Sequence, residues 1–510
     1  MSSRQHLIIL LIVTLVVQGI LFVSFPLGGI DDDQSAQRFI ISELTQGNWR
    51  VGNLRYNVGY PLVIAPVVKA SSALGRLDDR AVLLVQIAFS ASIPFFIYDL
   101  LRRRSAREAF IVALVVALDP FGLQWAHLSL PVWLVAWCLV VALWLVDRAT
   151  RAGPKAWRYA ALAGVLFGIG LLARTEAAVF AAALGTAILA YRSLPLRQRL
   201  AIFAGIGVVS ASIWGTYLVT IQRASTGTTR ASCMAGIDLL YSALTKDIPL
   251  VAANGPQTAH LLSLLSLPPL KEIHFLADSY PRWCEPGPWA TPAEQSAFLN
   301  QAAPNTVARV ETALPSNLVY YLGLSQVDEL LVDVIGESAL AHPGKWLKGL
   351  VRDGARMLVH LPDSHVNDFY LPRYHLLNLE RPESRLAAAA GFRIADGGHP
   401  SLYVSSPGGE FYTGQLIWAP GVWLFSAIFE PAMIPFWLVP IAIVWSFIIR
   451  DRTYMTVAFL LLVGVFVSSI FNTVQPRIYA SFYPLSSILL GGFIAYGMVR
   501  LTSKQKVNPR

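Results

Sequence analysis

Residues 7–33, LIILLIVTLVVQGILFVSFPLGGIDDD, join a long apolar block to a run of three aspartates. A helix needs about 20 apolar residues to cross a bilayer. No small-x-small cleavage site precedes the acidic run, so the block Leu7–Phe25 is predicted to remain as a span. Blocks of similar or nearly similar length recur at Val82–Leu101, Pro131–Val146, Leu200–Ile221, Pro431–Ile449, Thr453–Phe471 and Phe482–Val499. The chain is therefore predicted to cross a membrane repeatedly.

Basic residues fix the predicted orientation of these spans. The net charge is +9, and the positive residues collect in short loops and at the C-terminus, within 102–107, 148–158, 192–199, 450–452 and 500–510. Short basic loops after every second span are typical of the cytoplasmic side. Both termini are thus predicted to be cytoplasmic in a plasma (inner) membrane. This distribution argues against a nucleic-acid partner.

The composition supports the same class of protein. Hydrophobic residues make up 55% of the chain and charged residues 14%, whereas soluble domains carry about 25% charged residues. Three shorter blocks, Ala109–Leu118, Tyr159–Ala173 and Ala177–Tyr191, count as spans because the alternating basic loops require them. The predicted fold class is a polytopic all-α membrane protein with about ten transmembrane helices.

The connections on the outer side differ in length. Residues 1–221 form a predicted transmembrane core, whose first outer connection, 27–80, is long. Residues 222–416 form a late periplasmic or extracellular domain, and 417–510 form the last transmembrane helices. The late domain is expected to be mostly helical, with helical patterns at Pro292–Ala302, Gln326–Ala341, Gly344–His360 and Pro382–Ala390 and a β-like patch at Phe392–Tyr412.

Two helices are predicted in the first outer connection. The first would be amphipathic, with one apolar face formed by Ala36, Phe39, Ile40 and Leu44. The second, Tyr60–Leu74, is apolar but is followed by Asp78 and Asp79 instead of a basic cluster. It is therefore predicted to graze the membrane surface.

The cysteines divide between the predicted compartments. Cys138 falls inside a span and is expected to be inert packing. Cys233 and Cys284 both fall in the late domain, where an oxidising compartment would permit a disulfide. Spacing alone does not establish contact, so a bonded and an unbonded pair both stay open.

Ionisable residues at the outer ends of the spans form the candidate site. They are Asp31, Asp32, Asp33, Arg55, Asp119, His127, Arg174, Glu176 and Arg477. Acids and bases together suit a reaction that needs a carboxylate base and a cationic cradle for a phosphate. No cluster has metal-ligand spacing, and no Gly-rich phosphate loop or nucleophile elbow is present.

Each of these residues also has a structural interpretation. One aspartate of the run would serve as a helix N-cap, but adjacent carboxylates repel, which can raise one pKa towards that of a working base. Arg174 and Arg477 could reach lipid headgroups from span ends, or bind a lipid phosphate in a bidentate way. His127 is better explained as a packed histidine than as a ligand.

The acidic run carries a family resemblance. Asp32 and Asp33, followed by Gly47-x-Trp49, resemble the Asp-Glu motif and following helix of GT-C glycosyltransferases. The likeness is strongest to the aminoarabinose–lipid A transferase and protein O-mannosyltransferase branches. The stretch 55–61, RYNVGYP, is similar to the lysine and Pro/Gly-Tyr turn that follow in those enzymes.

Two later segments extend the resemblance across the transmembrane core. The stretch 171–174, LLAR, resembles the family's basic residue at the outer end of a middle span. The stretch 476–479, PRIY, with Pro484, resembles its late Arg-Tyr…Pro motif. The late domain is not covered.

This chain departs from the family pattern at three points. Arg55 stands where the family has lysine, and the second acid is Asp33 instead of glutamate. The acid often found at the outer start of the fourth span is missing from 128–131, LSLP. Acceptor positioning is therefore expected to differ.

The resemblance implies an inverting transfer of a sugar from a polyprenyl phosphate, a membrane lipid, to an acceptor hydroxyl. It assigns the general base to Asp32, with Asp33 shaping its pKa or the acceptor site. It assigns the donor phosphate to three arginines, Arg55, Arg174 and Arg477. The sugar and acceptor pocket would draw on Asp31, Tyr56, Tyr60, His127, Glu176 and Tyr479.

Other functions stay open beside the transferase. A transporter would place charges at mid-membrane and often repeat its halves, which this sequence does not show. A lipid-linked oligosaccharide ligase or polymerase would share the topology without needing the aspartate pair. A non-catalytic scaffold gives no reason for acids and bases to share one side. The sugar, the acceptor (a glycan, a lipid or a protein) and dependence on a divalent cation are left open.

Overall fold

The computed structural model describes residues 2–24, 28–29, 31–51, 57–73, 79–119, 122–123, 126, 130–232, 235–265, 287–300, 314–359, 403–404, 438–471 and 481–505. The helices from the N-terminus to the late domain are α1 (Ser3–Ser24), α2 (Asp31–Thr45), α3 (Gly59–Ala73), α4 (Asp79–Leu101), α5 (Ala106–Ala117), α6 (Val132–Arg151), α7 (Ala156–Ala173), α8 (Glu176–Leu189), α9 (Leu196–Tyr217) and α10 (Arg223–Thr226). A π-helical turn, Leu218–Gln222, joins α9 to α10.

The remaining elements belong to the late domain and the C-terminal helices. They are α11 (Ala235–Thr245), α12 (Pro256–Leu265), α13 (Pro292–Leu299), α14 (Leu314–Leu322), α15 (Leu324–Ala341), α16 (Pro343–Val359), α17 (Val439–Ile449), α18 (Arg452–Phe471) and α19 (Tyr483–Gln505). The strands β1 (Gly28–Gly29) and β2 (Tyr403–Val404) pair antiparallel. The described 3₁₀ turns are Gly153–Lys155 and Ala252–Asn254.

Within the described residues, 6 helical segments are long and apolar enough to cross a membrane: Ser3–Phe22, Ala81–Leu101, Val132–Arg151, Gly153–Ala173, Leu196–Thr226 and Arg452–Ile470. The helices α5, α8, α17 and α19 also contribute buried residues to the same bundle core. The predicted all-α membrane class is confirmed. The expected count of about ten spans remains a prediction.

One end of the bundle gathers the basic loops. Asp99, on α4, accepts hydrogen bonds from Arg148 at 2.6 Å and from the Trp144 indole at 2.8 Å. Arg104, after α4, pairs with Asp451, before α18, at 2.9 Å. We call this the basic end, and the opposite end, which carries the late domain, the domain end.

The late domain has its own apolar core, organised around α15. Asp328 on α15 accepts a hydrogen bond from the Gly236 amide at 2.7 Å, in the first turn of α11. Glu337, further along α15, accepts from the amides of Gln257 and Thr258 at 3.0 and 2.8 Å, in the first turn of α12. These carboxylates satisfy amides that a helix start leaves without intrahelical partners, so α15 fastens both helices.

The domain is tied to the bundle through α11 and α16. The Ser242 hydroxyl on α11 donates to the carbonyl oxygen of Ile470, near the end of α18, at 2.8 Å. Lys246, after α11, pairs with Asp353 on α16 at 3.1 Å, and both side chains are buried. The Ser242 bond joins the domain to the helix that precedes residues 472–480, and the Lys246–Asp353 pair holds α16 beside α11.

Most helices predicted in the outer connections are found close to their expected bounds. The pattern at Tyr60–Leu74 corresponds to α3, Gln326–Ala341 to α15 and Gly344–His360 to α16. Pro292–Ala302 is helical through Leu299. Of the predicted β patch, the structure describes only β2, and Pro382–Ala390 lies outside the described residues.

The predicted apolar face of α2 needs correction. Ile40 and Leu44 are buried as expected, but Phe39 is 46% exposed and Ile41 is buried in its place. The buried stripe follows the spacing i, i+1, i+4, and α2 packs against α3. Cys138 is buried as predicted, whereas Cys233 and Cys284 lie outside the described residues.

Candidate functional site

The domain end of the bundle contains an apolar cluster that joins the first outer connection to the spans. α2 contributes Ile40, and α3 contributes Tyr60 and Ile64. The spans contribute buried residues from the ends of α4, α6, α7, α8 and α9. We call these residues the outer cluster. It fixes α2 and α3 over the span ends that carry the candidate charges.

Gly59, the first residue of α3, makes the closest approach in this cluster. A Cβ atom built on Gly59 would lie 2.3 Å from the Ala173 amide nitrogen and 2.4 Å from the Leu172 carbonyl carbon. Only a residue without a side chain fits at such a distance. The N-terminus of α3 therefore rests directly on the backbone that leads into Arg174.

Tyr60, the second residue of α3, links this helix to α4. Its hydroxyl donates to Gln86 Oε1 at 2.8 Å, and Gln86 Nε2 donates to the carbonyl oxygen of Ala126 at 2.8 Å. Tyr60 and Gln86 are both fully buried. The Tyr60 ring is packed within the outer cluster, and its expected role in a sugar pocket remains a prediction.

Asp119 forms a second polar junction just beyond the end of α5. It is buried and accepts a hydrogen bond from the Ser487 hydroxyl on α19. A Cβ built on Gly122 would lie 2.5 Å from the Tyr483 hydroxyl oxygen, at the start of α19. Asp119 and Gly122 thus lie beside the start of α19, and Ala126 lies beside the Tyr60–Gln86 pair.

Arg174 and Glu176 follow directly on the backbone that Gly59 contacts. Arg174 has an extended backbone (φ −157°, ψ 137°) between α7 and α8. Its guanidinium donates from Nε to Glu176 Oε1 at 3.0 Å and also from Nη2 to the same oxygen. Each side chain is 20% exposed. The acid orients the guanidinium at the domain end.

The acidic run forms the first turn of α2. The backbone of Asp31, Asp32 and Asp33 is helical, so these residues occupy the positive end of the helix dipole, where carboxylates are favoured. Strand β1 ends two residues earlier and pairs with β2 of the late domain. The run is thereby connected at one side to the outer cluster through α2 and at the other to the late domain.

Several predicted site residues lie outside the described part of the chain. They are Arg55, Tyr56, His127, Arg477 and Tyr479. The segment with Arg477 and Tyr479 is bounded by Phe471, at the end of α18, and by Tyr483, at the start of α19. Among the residues the structure describes, no group of three His, Cys, Asp or Glu side chains could hold a metal ion.

Two residues of the polar junctions were not assigned a role from the sequence. Gln86 and Ser487 each sit within an apolar block, and Asp119 was noted only as one charge among several. A polar residue inside a span is a usable signal, because burying it without a partner is costly. The sequence does not show which group is its partner, because the partner depends on how the helices pack.

Comparisons with known proteins place this chain among membrane glycosyltransferases by similarity. Residues 60–252 match the family described as dolichyl-phosphate-mannose-protein mannosyltransferase. This match confirms the resemblance to GT-C glycosyltransferases, within one of the branches suggested by the sequence motifs. It begins at Tyr60 and contains Asp119, Arg174 and Glu176, but neither the acidic run nor Arg477. No curated protein sequence matches the chain.

Solved structures with a similar arrangement include two enzymes. The archaeal oligosaccharyltransferase AglB from Archaeoglobus fulgidus, in complex with an inhibitory peptide and a dolichol-phosphate, has 14% identity and a TM-score of 0.46, with 99% of this chain and 51% of that chain covered. ArnT from Cupriavidus metallidurans in the apo state has 13% identity and a TM-score of 0.38, with 96% and 77% covered. The chain covers 51% of the oligosaccharyltransferase chain, about half its length.

Proposed function

We propose that this chain is a GT-C-type membrane glycosyltransferase that moves a sugar from a polyprenyl-phosphate lipid to an acceptor hydroxyl at the domain end. The observation that carries the proposal is the seating of Gly59 on Leu172 and Ala173. It joins the connection that carries the aspartates to the span end that carries Arg174. The family match over residues 60–252 supports the same class of reaction.

The donor phosphate is assigned to Arg174, with Arg55 and Arg477 as further cations. A guanidinium presents donors in a fixed fork that matches phosphate oxygens. Glu176 holds the Arg174 fork at the domain end, where a lipid phosphate would lie while its tail remains between the spans. Preorganised donors of this kind stabilise charge that develops on a leaving group.

The base is assigned to Asp32, with Asp33 beside it. The carboxylate of Asp32 takes the proton of the acceptor hydroxyl as the acceptor oxygen attacks the anomeric carbon. The bond between that carbon and the phosphate oxygen breaks, and the electron pair leaves with the polyprenyl phosphate. Attack opposite the leaving group inverts the anomeric centre. The leaving group is already a stable phosphate, so this route needs no second carboxyl acting as an acid.

The orientation of the chain in the membrane is assigned from the two ends of the bundle. The basic end is assigned to the cytoplasm, together with both termini, because basic loops favour that side. The site then faces the periplasm or the cell exterior, and the acceptor is a glycan, a lipid or a protein on that side. The late domain, joined to β1 and to α18, is in a position to select the acceptor.

The base assignment is tested by Asp32→Asn in protein reconstituted in nanodiscs, with a donor that the wild type consumes. General-base catalysis contributes about 10²–10⁴-fold, so the rate should fall by that factor. Asp333→Asn, at an exposed position on α15, is the matched control and should leave the rate unchanged. A folded Asp32→Asn protein with the wild-type rate would show that another group is the base.

A further inference from the structure

Helix α16 presents two different faces. Trp346, Asp353 and Met357 are buried along one side. Leu347 and Val351, four residues apart, are 63% and 64% exposed on another. Residues at this spacing lie above one another on a helix surface, so the exposed pair forms a short apolar stripe.

The same helix passes from one apolar core to the other. Near its start, Trp346 packs in the core of the late domain. Near its end, Met357 packs in the core of the membrane bundle, with Leu358 against it. The exposed stripe lies between these two anchors, which brings it to the level where the domain meets the bundle.

Contacts with α18 fix this level more closely. A Cβ built on Gly349 would lie 2.8 Å from Lys246 Cγ, and Ser242, one turn before Lys246, bonds to the Ile470 carbonyl. A Cβ built on Gly354 would lie 3.7 Å from Val465 Cγ1. α16 runs from the core of the late domain to the core of the bundle, whereas α18 runs from the basic end to the domain end, so the two helices are antiparallel. Gly354 lies beside Val465, and five residues nearer the domain end on each helix Gly349 is level with Ile470.

Ile470 is the last residue of the apolar span in α18. At about 1.5 Å of rise per residue, Leu347 lies about 3 Å above this level and Val351 about 3 Å below it. The stripe is thus level with the end of this apolar span, where the boundary between acyl chains and headgroups would lie. An exposed apolar stripe is unfavourable in water but not at this depth.

The charges around the stripe match a phospholipid surface. Lys345 and Lys348 are exposed on the first turns of α16. Asp353, on the same helix, is buried in its pair with Lys246 and presents no charge to the surface. Lysines near a membrane boundary lay their stems along apolar surface and extend their ammonium groups to the phosphates.

We propose that α16 is a membrane-contacting helix whose occupant is the phospholipid of the surrounding bilayer. Leu347 and Val351 enter the acyl boundary, and Lys345 and Lys348 contact lipid phosphates. This contact holds the late domain at a fixed height over the domain end. It depends on membrane insertion of the bundle, and not on the proposed transferase activity.

The test uses full-length protein with an environment-sensitive fluorophore on Leu347→Cys or Val351→Cys. The nanodiscs contain phosphatidylethanolamine and phosphatidylglycerol, with and without a lipid carrying a spin-label quencher near the top of its acyl chain. Leu299→Cys is the matched control, since Leu299 is 47% exposed on α13 in the same domain. Unsubstituted protein, labelled in parallel, gives the background from the native cysteines.

Labels at positions 347 and 351 should emit at shorter wavelength than the label at 299 and be quenched by the spin-labelled lipid at least about twofold more strongly. Equal quenching at all three positions would overturn the proposal. Shielding at 347 and 351 without lipid quenching would also overturn it, and would point to a protein partner on the stripe.

Discussion

Gly59 and Ala173 meet backbone to backbone at the domain end of the bundle. A Cβ built on Gly59 would stand 2.3 Å from the Ala173 nitrogen, closer than any side chain tolerates. These residues come from the first outer connection and from the end of α7, which are more than a hundred positions apart in the chain. Their contact seats the first outer connection on the backbone next to Arg174.

Gly59→Ala should therefore damage both stability and activity. The added methyl group meets backbone atoms that cannot rotate away, so α3 must shift, at a cost of about 1–3 kcal/mol. The shift would also move the connection that carries Asp32 away from Arg174. Thermal unfolding of the nanodisc-embedded protein and the transfer rate measure the two effects.

Gly207→Ala is the matched control, because a Cβ at Gly207 on α9 meets nothing within 4 Å. It should leave both measurements close to wild type. If Gly59→Ala were as stable and active as Gly207→Ala, the close approach would have no role in assembling the site.

Arg174→Ala should lower kcat/KM by about 10²–10³-fold, the range for removing one preorganised donor to a developing charge. Arg174→Lys should lose less, because it keeps the charge but not the planar fork. The measurement is the transfer rate in nanodiscs as a function of donor concentration, which gives kcat and KM separately.

Arg230→Ala serves as the control for loss of an arginine. Arg230 is exposed and pairs with Glu329 on the surface of the late domain. Surface pairs contribute little, so stability and kinetics should stay near wild type. An Arg174→Ala enzyme that matched the Arg230→Ala enzyme would remove Arg174 from the donor site.

Glu337 should make the late domain sensitive to acid. Its burial raises the pKa, but the amides of Gln257 and Thr258 and the Thr258 hydroxyl donate to the carboxylate and outweigh that effect. The net result is a pKa below the ordinary 4.5. A depressed carboxyl pKa stabilises the fold above the unfolded value, and this stabilisation is lost as the pH falls through the folded value.

Glu337→Gln should thus melt at a lower temperature than wild type near neutral pH, and the difference should shrink as the pH falls below about 4.5. Glu329→Gln, on the same helix but in an exposed pair, is the control. If the difference in melting temperature between Glu337→Gln and wild type stayed constant down to strongly acidic pH, the charge of Glu337 would not be what fastens α12.

Local patterns predicted the helices of this chain well. Tyr60–Leu74 was expected as a helix and α3 spans Gly59–Ala73, because an apolar run bounded by turn residues defines both ends. The positions of Arg174 and Glu176 at one end of the bundle also followed from the alternation of basic loops. The helix bounds depend on neighbours within a few residues, and the alternation of basic loops is visible along the sequence without knowledge of any contact.

Long-range contacts could not be predicted in the same way. Asp119 meets Ser487 across most of the chain, and Tyr60 meets Gln86 from another helix. Both pairings depend on how the helices pack, which a single sequence does not specify. Phe39 shows the same limit on a smaller scale, since its apolar character did not decide which side of α2 would be buried.

The most direct test of the central claim is a transfer assay with purified protein in nanodiscs. A panel of labelled polyprenyl-phosphate sugars is supplied with a membrane extract as the source of acceptors, with and without a chelator. The proposal predicts that at least one donor is consumed, with release of polyprenyl phosphate and loss of turnover in Arg174→Ala. A well-folded sample that consumes none of the donors would contradict it and favour a ligase or a transporter.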